Sequence, residues 1–318
     1  MAKKYTNTGN KDTRSGFGAG LLEAGRKNPN IVALTADLLG SVKMDAFAKE
    51  FPERFFQCGI AEANMIGAAA GLAITGKVAF ASSFAEFVTG RVYDQIRQEV
   101  AYGHTNVKVC ASHAGITLGE DGATHQTMED IALMRALPGM VVINPCDYNQ
   151  CKAATLAIAE YNGPVYLRFG RPTMPNFTPK DQVFEIGKAV CLNEGTDVTI
   201  FATGHLVWEA VNAAELLEAE GISAEVIDIA TIKPLDVEAV VASAKKTGAV
   251  VCAEEHNMCG GLGELIAGVL AANAPTPVEY INGGDKFGQS GTPAQLLNLY
   301  GMDAANIAEA AKKAISRK

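Results

Sequence analysis

The sequence predicts an α/β protein of two domains, each a mostly parallel sheet flanked by helices. Three observations carry that prediction. Short β-branched runs alternate with longer helical patterns along nearly the whole chain, the order that builds parallel sheets with crossover helices. Pro172, Pro175 and Pro179 interrupt the alternation once, within eight residues. A length of 318 residues is long for one core and suits two domains.

In the first domain, residues 10–172, the expected strands are Ile31–Ala36, Val78–Ser82, Val107–Ser112, Met140–Asn144 and Val165–Phe169. Helical patterns cover Gly16–Arg26, Glu62–Ala73, Glu86–Tyr102, Thr127–Leu137 and Asp147–Ala159. Asp147, after Pro145, reads as an N-cap, and Thr127 with Asp130 three later reads as a capping box. Residues 173–185 read as a linker, because proline continues neither a helix nor an inner strand. In the second domain, residues 186–318, strands are expected at Val198–Ala202, Ala224–Ile229, Ala249–Ala253 and Val278–Ile281. Helices are expected at His205–Ala219, Asp236–Ala244, Leu262–Ala272, Pro293–Asn298 and Ala304–Ser316.

Composition narrows the function. A net charge of −8 lacks the basic footprint that nucleic-acid binding needs, although local phosphate binding is compatible with it. The longest apolar stretch, Ala68–Ile74, is far below membrane-spanning length, and the polar N-terminus does not resemble a signal peptide. A cytosolic location is therefore expected. Seven scattered cysteines without a Cys-x-x-Cys pair read as reduced thiols. Cys252, His256 and Cys259 match no recognised zinc spacing, so no metal site is assigned to this chain.

Two segments carry chemistry. Glu62 opens an Ala/Gly-rich helix after Gly59-Ile60-Ala61, where the helix dipole favours negative charge. Phe84 and Phe87, three apart, share one face of a turn or helix. Further on, Ser112-His113 ends a strand, and Gly119-Glu120-Asp121-Gly122-Ala123-Thr124-His125-Gln126 forms a glycine-rich loop. Two histidines and an acid beside the carboxyl end of a parallel strand occupy the usual ligand location of such a sheet.

Gly59–Gly67, Ser82–Phe87 and Ser112–Gln126 together resemble the pyrimidine-binding domain of the transketolase family. Thr231–Asp236 and the Glu254-Glu255-His256 run followed by Gly260–Gly263 resemble that family's C-terminal domain, so the likeness spans about residues 10–315. The resemblance implies thiamine diphosphate as cofactor. Glu62 would share a proton with its aminopyrimidine ring, Phe84 and Phe87 would wall that ring, and Asp37 would contact the cofactor. An acid held in an apolar cleft suits proton sharing because desolvation raises its proton affinity. The family's third aromatic is absent, Gly90 standing in its place with Tyr93 as the substitute. Sugar phosphates would meet Arg14, Ser41, His113, Asp121, His125 and Arg168, with Arg91 and Arg171 as secondary candidates. Arginine fits because its fork meets phosphate oxygens bidentately.

The family anchors the cofactor's diphosphate through Gly-Asp-Gly and a later Asn that hold Mg2+ or a similar divalent metal. Gly283-Gly284-Asp285 is not that motif. The resemblance thus implies the C-terminal subunit of a split transketolase, with diphosphate and metal held by a separate N-terminal subunit, in a homodimer or heterotetramer. Two rival readings are a 1-deoxyxylulose-5-phosphate synthase-like subunit, suggested by Arg91-Val92-Tyr93-Asp94-Gln95, and a non-catalytic assembly subunit. A 2-oxo-acid dehydrogenase β subunit shares the architecture but not the Gly119–Gln126 loop. His113 favours transketolase over the synthase, and retention of Glu62 and both loop histidines favours catalysis over scaffolding.

Overall fold

A computed structural model describes residues 5–318. Its strands are β1 (Lys11–Asp12), β2 (Ile31–Thr35), β3 (Phe55–Gln57), β4 (Val78–Phe84), β5 (Val107–Ser112), β6 (Val141–Ile143), β7 (Val165–Arg168), β8 (Thr173–Met174), β9 (Val190–Asn193), β10 (Val198–Ala202), β11 (Ala224–Asp228), β12 (Thr231–Lys233), β13 (Val250–Ala253) and β14 (Val278–Ile281). The helices are α1 (Thr13–Lys27), α2 (Asp45–Glu50), α3 (Glu62–Ile74), α4 (Ala85–Val88), α5 (Tyr93–Gln95), α6 (Asp130–Arg135), α7 (Tyr148–Glu160), α8 (Leu206–Ala219), α9 (Val237–Thr247), α10 (Leu262–Asn273), α11 (Pro293–Leu299) and α12 (Ala304–Ile315).

The larger sheet runs β12-β6-β7-β5-β4-β2-β3 and is parallel except for β12, while the smaller runs β14-β13-β10-β11-β9 and is parallel except for β9. β2, β5 and β7 are buried along their whole length, as strands covered on both faces must be. Between sheet and helices, Phe17 of α1 stacks on Phe169 at 4.9 Å and lies tilted 6.5 Å from Phe80. Burial of each such ring contributes roughly 1.5–3 kcal/mol. Gly16 and Gly20 let α1 lie directly on α7, since a Cβ at Gly20 would come within 2.7 Å of the Thr155 Cβ. A bulkier residue there would force the two helices apart.

Local signals fix several ends. The Asp147 carboxylate accepts from the Gln150 N–H and starts α7 as predicted, and Asp12 does the same for α1 through Ser15. Thr292 and Gln295 cap α11 reciprocally.

Elsewhere the structure corrects the sequence. Thr127 and Asp130 form no capping box: α6 begins at Asp130 after an uncapped Glu129, and the Asp130 carboxylate turns to Tyr166 and Arg168. The expected helix 86–102 is broken into α4, α5 and a π-helical segment Ile96–Tyr102. Val88, Val92, Ile96 and Val100 are all buried, so the apolar period runs on through the break. Residues 173–185, expected as a linker, are tied to the first domain. β8 pairs antiparallel with β1, and the Asp147 carboxylate also accepts from the Phe177 and Thr178 backbones. β12 leaves the second part of the chain to pair with β6 at the edge of the first sheet.

Candidate active site

The candidate residues gather at the carboxyl ends of parallel strands. Phe84 is the last residue of β4, His113 follows β5, and Arg14 lies in the first turn of α1. That turn is stitched to the end of β7, because the Thr13 hydroxyl donates to the Gly170 carbonyl and accepts from the Gly170 N–H.

An aromatic stack forms the wall. Phe84 and Phe87 are stacked at 5.5 Å, and the other neighbour of Phe84 is the His113 ring, stacked at 3.7 Å. His125 meets both phenyl rings edge-on, at 6.4 Å and 5.5 Å. Arg91 lies on the Phe87 ring at 4.0 Å and donates to the Glu62 carboxylate at 3.1 Å. Glu62 is 4% exposed at the start of α3, so its carboxyl faces inward next to the wall. Tyr93 packs against the core beneath. The space beside Gly90 is bordered by the Glu86 carboxyl, 3.6 Å from where a Cβ would lie, and not by a third ring.

At the other end of the stack lies an anion-receptive pocket. Arg14 donates to the Ser41 carbonyl at 3.1 Å and sits 3.5 Å from His113 Nε2. Burial, then the charges of Arg14, Arg171, His125 and Lys43, lower the His113 pKa to about 3, so the ring is neutral at physiological pH. Ser112 Oγ, 2.7 Å from Nδ1, fixes the ring orientation. Burial and the charge of Arg171 also lower the Arg14 pKa, although Asp12 at 3.3 Å opposes them. Two guanidiniums, Lys43 and a neutral imidazole, with Asp12 and Glu120 as the acidic partners among the described residues, make a pocket that favours an anion.

The structure therefore brings together Arg14, Ser41, His113, His125, Phe84 and Phe87, with Glu62 joined through Arg91. Asp37 and Asp121 are exposed, and no contact among the described residues joins them to this group; Asp37 is in a left-handed conformation (φ 60°) with its N–H on Gln57.

Arg168 is corrected. It is 2% exposed, and its guanidinium is taken by the Asp130 carboxylate at 2.7 Å and the Glu255 carbonyl at 2.8 Å. Burial alone would lower its pKa, but the charges of Asp130 and Glu255 raise it. The arginine that faces the pocket is Arg171, which donates to the Leu118 carbonyl and the Glu120 carboxylate, each at 2.8 Å. The signal for this was the repeat Arg168-Phe169-Gly170-Arg171. Its first arginine lies within a doubly buried strand, and its second lies past the strand end.

Sequence reasoning also missed a buried polar junction. The Glu255 carboxylate accepts from the Thr117 N–H at 2.5 Å and lies 3.7 Å from His205 Nδ1. Burial raises the Glu255 pKa, while burial and then the charge of Arg168 lower that of His205 to about 4.

The chain matches two family models, "Transketolase, pyrimidine binding domain" over residues 10–176 and "Transketolase, C-terminal domain" over residues 187–307. It is 51% identical over 302 residues to a Methanocaldococcus jannaschii protein named as a transketolase C-terminal section, covering 94% of this chain and 95% of that protein. It is 45% identical over 298 residues to the 6-deoxy-6-sulfo-D-fructose transketolase subunit of Clostridium sp. (strain MSTE9), covering 94% and 92%. A solved structure described as a split gene transketolase, inactive β4 tetramer, superposes with a TM-score of 0.90 at 47% identity, covering 97% of this chain and 99% of that one.

Proposed function

This chain belongs to the transketolase family, and from that premise we propose that it is the C-terminal subunit of a two-component, thiamine-diphosphate-dependent transketolase. It would transfer a two-carbon ketol unit from a ketose phosphate to an aldose phosphate. One observation carries the reading: a single aromatic stack has a buried carboxyl at one end and an arginine-histidine anion pocket at the other.

The residues present fit the ring half of the cofactor. Glu62 is buried, partnered among the described residues by the half-exposed Arg91, which lies on the stacked Phe84–Phe87 pair that suits a flat heterocycle. When bound, thiamine diphosphate supplies the carbanion chemistry. Glu62 would hold a shared proton against the aminopyrimidine nitrogen, Phe84 and Phe87 would orient that ring, and Asp37 would border it. Arg14, Arg171 and Ser41 would grip the sugar's phosphate. Neutral His113 can donate a hydrogen bond to an anion without carrying charge, and His125 and Asp121 would meet sugar oxygens.

The other half of the site would come from a partner that supplies the diphosphate contacts and the Mg2+ ligands. Two observations support a partner. The named relatives are matched over nearly their full length, and they are themselves a section or a subunit. Ile60 before α3, Ile74 at its other end and Tyr102 at the end of the π-helical segment are 79%, 78% and 86% exposed, apolar surface that suits a protein interface. A heterotetramer with two copies of each chain would complete two sites. Among the described residues no helix is long and apolar enough to cross a membrane, and with seven free cysteines we place the protein in the cytoplasm.

The test is ketol transfer by the purified chain with and without the neighbouring gene's Gly-Asp-Gly-bearing product, plus cofactor and Mg2+. Activity is expected only from the complete mixture. Turnover by the lone chain, or none from the mixture, would refute the proposal.

A further inference from the structure

Loop 113–126 has an unusual backbone. His113, Gly115, Gly119 and Gly122 all have positive φ, between 61° and 97°. The path makes only one short 3-10 turn, Ile116–Leu118, and residues 113–119 are buried, so the remaining N–H and C=O groups need partners. The first domain supplies most of them, Ala114 donating to the Phe169 carbonyl and Gly115 to that of Thr127, and the second domain supplies the partner of Thr117. Glu255, 2% exposed and 138 residues away in sequence, accepts from the Thr117 N–H at 2.5 Å. Gly115 lies so close to the Glu255 carboxyl that a Cβ would overlap it. Gln126, at the loop's end, donates to the carbonyls of Ile116, Gly119 and Gln289 at 3.0, 3.2 and 3.0 Å.

Glu255 is itself held on three sides. Its carbonyl takes the Arg168 guanidinium, its carboxylate faces His205, and the preceding Glu254 accepts from the Leu262 and Gly263 N–H groups at 2.7 and 2.8 Å. We propose that Glu255 is a positioning residue, fixing the loop backbone from the second domain so that His113 and His125 meet the sugar phosphate beside Phe84. The loop's role in sugar binding rests on the function proposed above. The brace itself rests only on these contacts. It assigns the second domain a task on the sugar side of the site and none on the ring side.

Glu255→Ala, in the complex with the partner subunit, should raise the KM of both sugar phosphates about tenfold or more, the loss expected for one buried charge-assisted hydrogen bond. Thiamine diphosphate affinity, read by fluorescence titration, should stay within about twofold. Amide exchange should quicken in residues 115–122 and stay unchanged in β2. Glu255→Gln keeps an acceptor for Thr117 and should recover most of the sugar KM. Should the alanine variant not fold, Glu255→Asp withdraws the acceptor by one methylene and carries the same expectations. Loop exchange is measured without turnover: faster exchange with no ketol transfer in the wild-type complex would discard the reaction and keep the brace. Unchanged loop exchange, or a sugar KM that moves no more than the cofactor affinity, would overturn it.

Discussion

The two ends of the Phe84–Phe87 stack are built differently. At the Glu62 end a carboxyl is met by one arginine that is 48% exposed in its side chain, and the nearby Ile60 is exposed as well. At the His113 end, α1, the ends of β5 and β7 and the second domain all converge, and the groups are buried and cross-linked by hydrogen bonds. On the function proposed above, this chain would preorganise the sugar side by itself and leave the ring side to be closed by another surface. Preorganised donors act without reorganising during reaction, so on that proposal the closed end would be where specificity is stored.

The comparison breaks most sharply at Glu62. Glu62→Ala should cut ketol transfer by the assembled complex by about a hundredfold or more, the scale of a lost acid-base group, with an unchanged elution volume. A rate within about twofold of wild type would remove the ring end from the reaction.

Next in size is Arg168→Met, which leaves the Asp130 carboxylate buried without its ionic partner. A loss of about 3–5 kcal/mol in urea unfolding is expected. Arg171→Ala should do the opposite, barely moving the urea midpoint while raising the KM for phosphorylated sugars about tenfold. If the two effects were exchanged, Arg168 would be the phosphate ligand after all.

A smaller effect follows from pH. His113 and His205 are neutral in the fold, at about 3 and about 4, against 6.5 in an unfolded chain. Below pH 6.5 the unfolded chain takes up protons that the folded one refuses, so their contribution is complete above that pH and is lost as pH falls toward 4 and 3. Urea midpoints should fall across that window, and His205→Gln should flatten the fall. Arg91→Ala should cost less than Arg168→Met, about 1–3 kcal/mol by thermal unfolding, because Arg91 itself is half exposed while the Glu62 carboxyl it leaves is buried.

Much of this was legible in the sequence. The central strands, the long helices and the Asp147 cap follow from period, β-branching and capping chemistry, which are local. Glu62, His113 and His125 were visible because their motif is contiguous. Three features were not. β12 pairs with a strand some ninety residues earlier, and no local pattern encodes that pairing. The break in helix 86–102 hides under an uninterrupted apolar spacing. Arg168 and Arg171 carry the same chemistry in sequence, and only the end of β7 tells which one is walled in and which looks out.

β12 has a further consequence. Its Thr231 and Lys233 sit opposite Ile143 and Val142, and the Lys233 ammonium donates to the carbonyls of Arg135 and Leu137. A gene cut between the two family segments would hand its first product a bare sheet margin, with β6 offering unpaired amides to any neighbouring molecule. The halves that look separable on a linear map are thus laced together, and exchanging one between relatives would mean matching a borrowed strand as well as an interface.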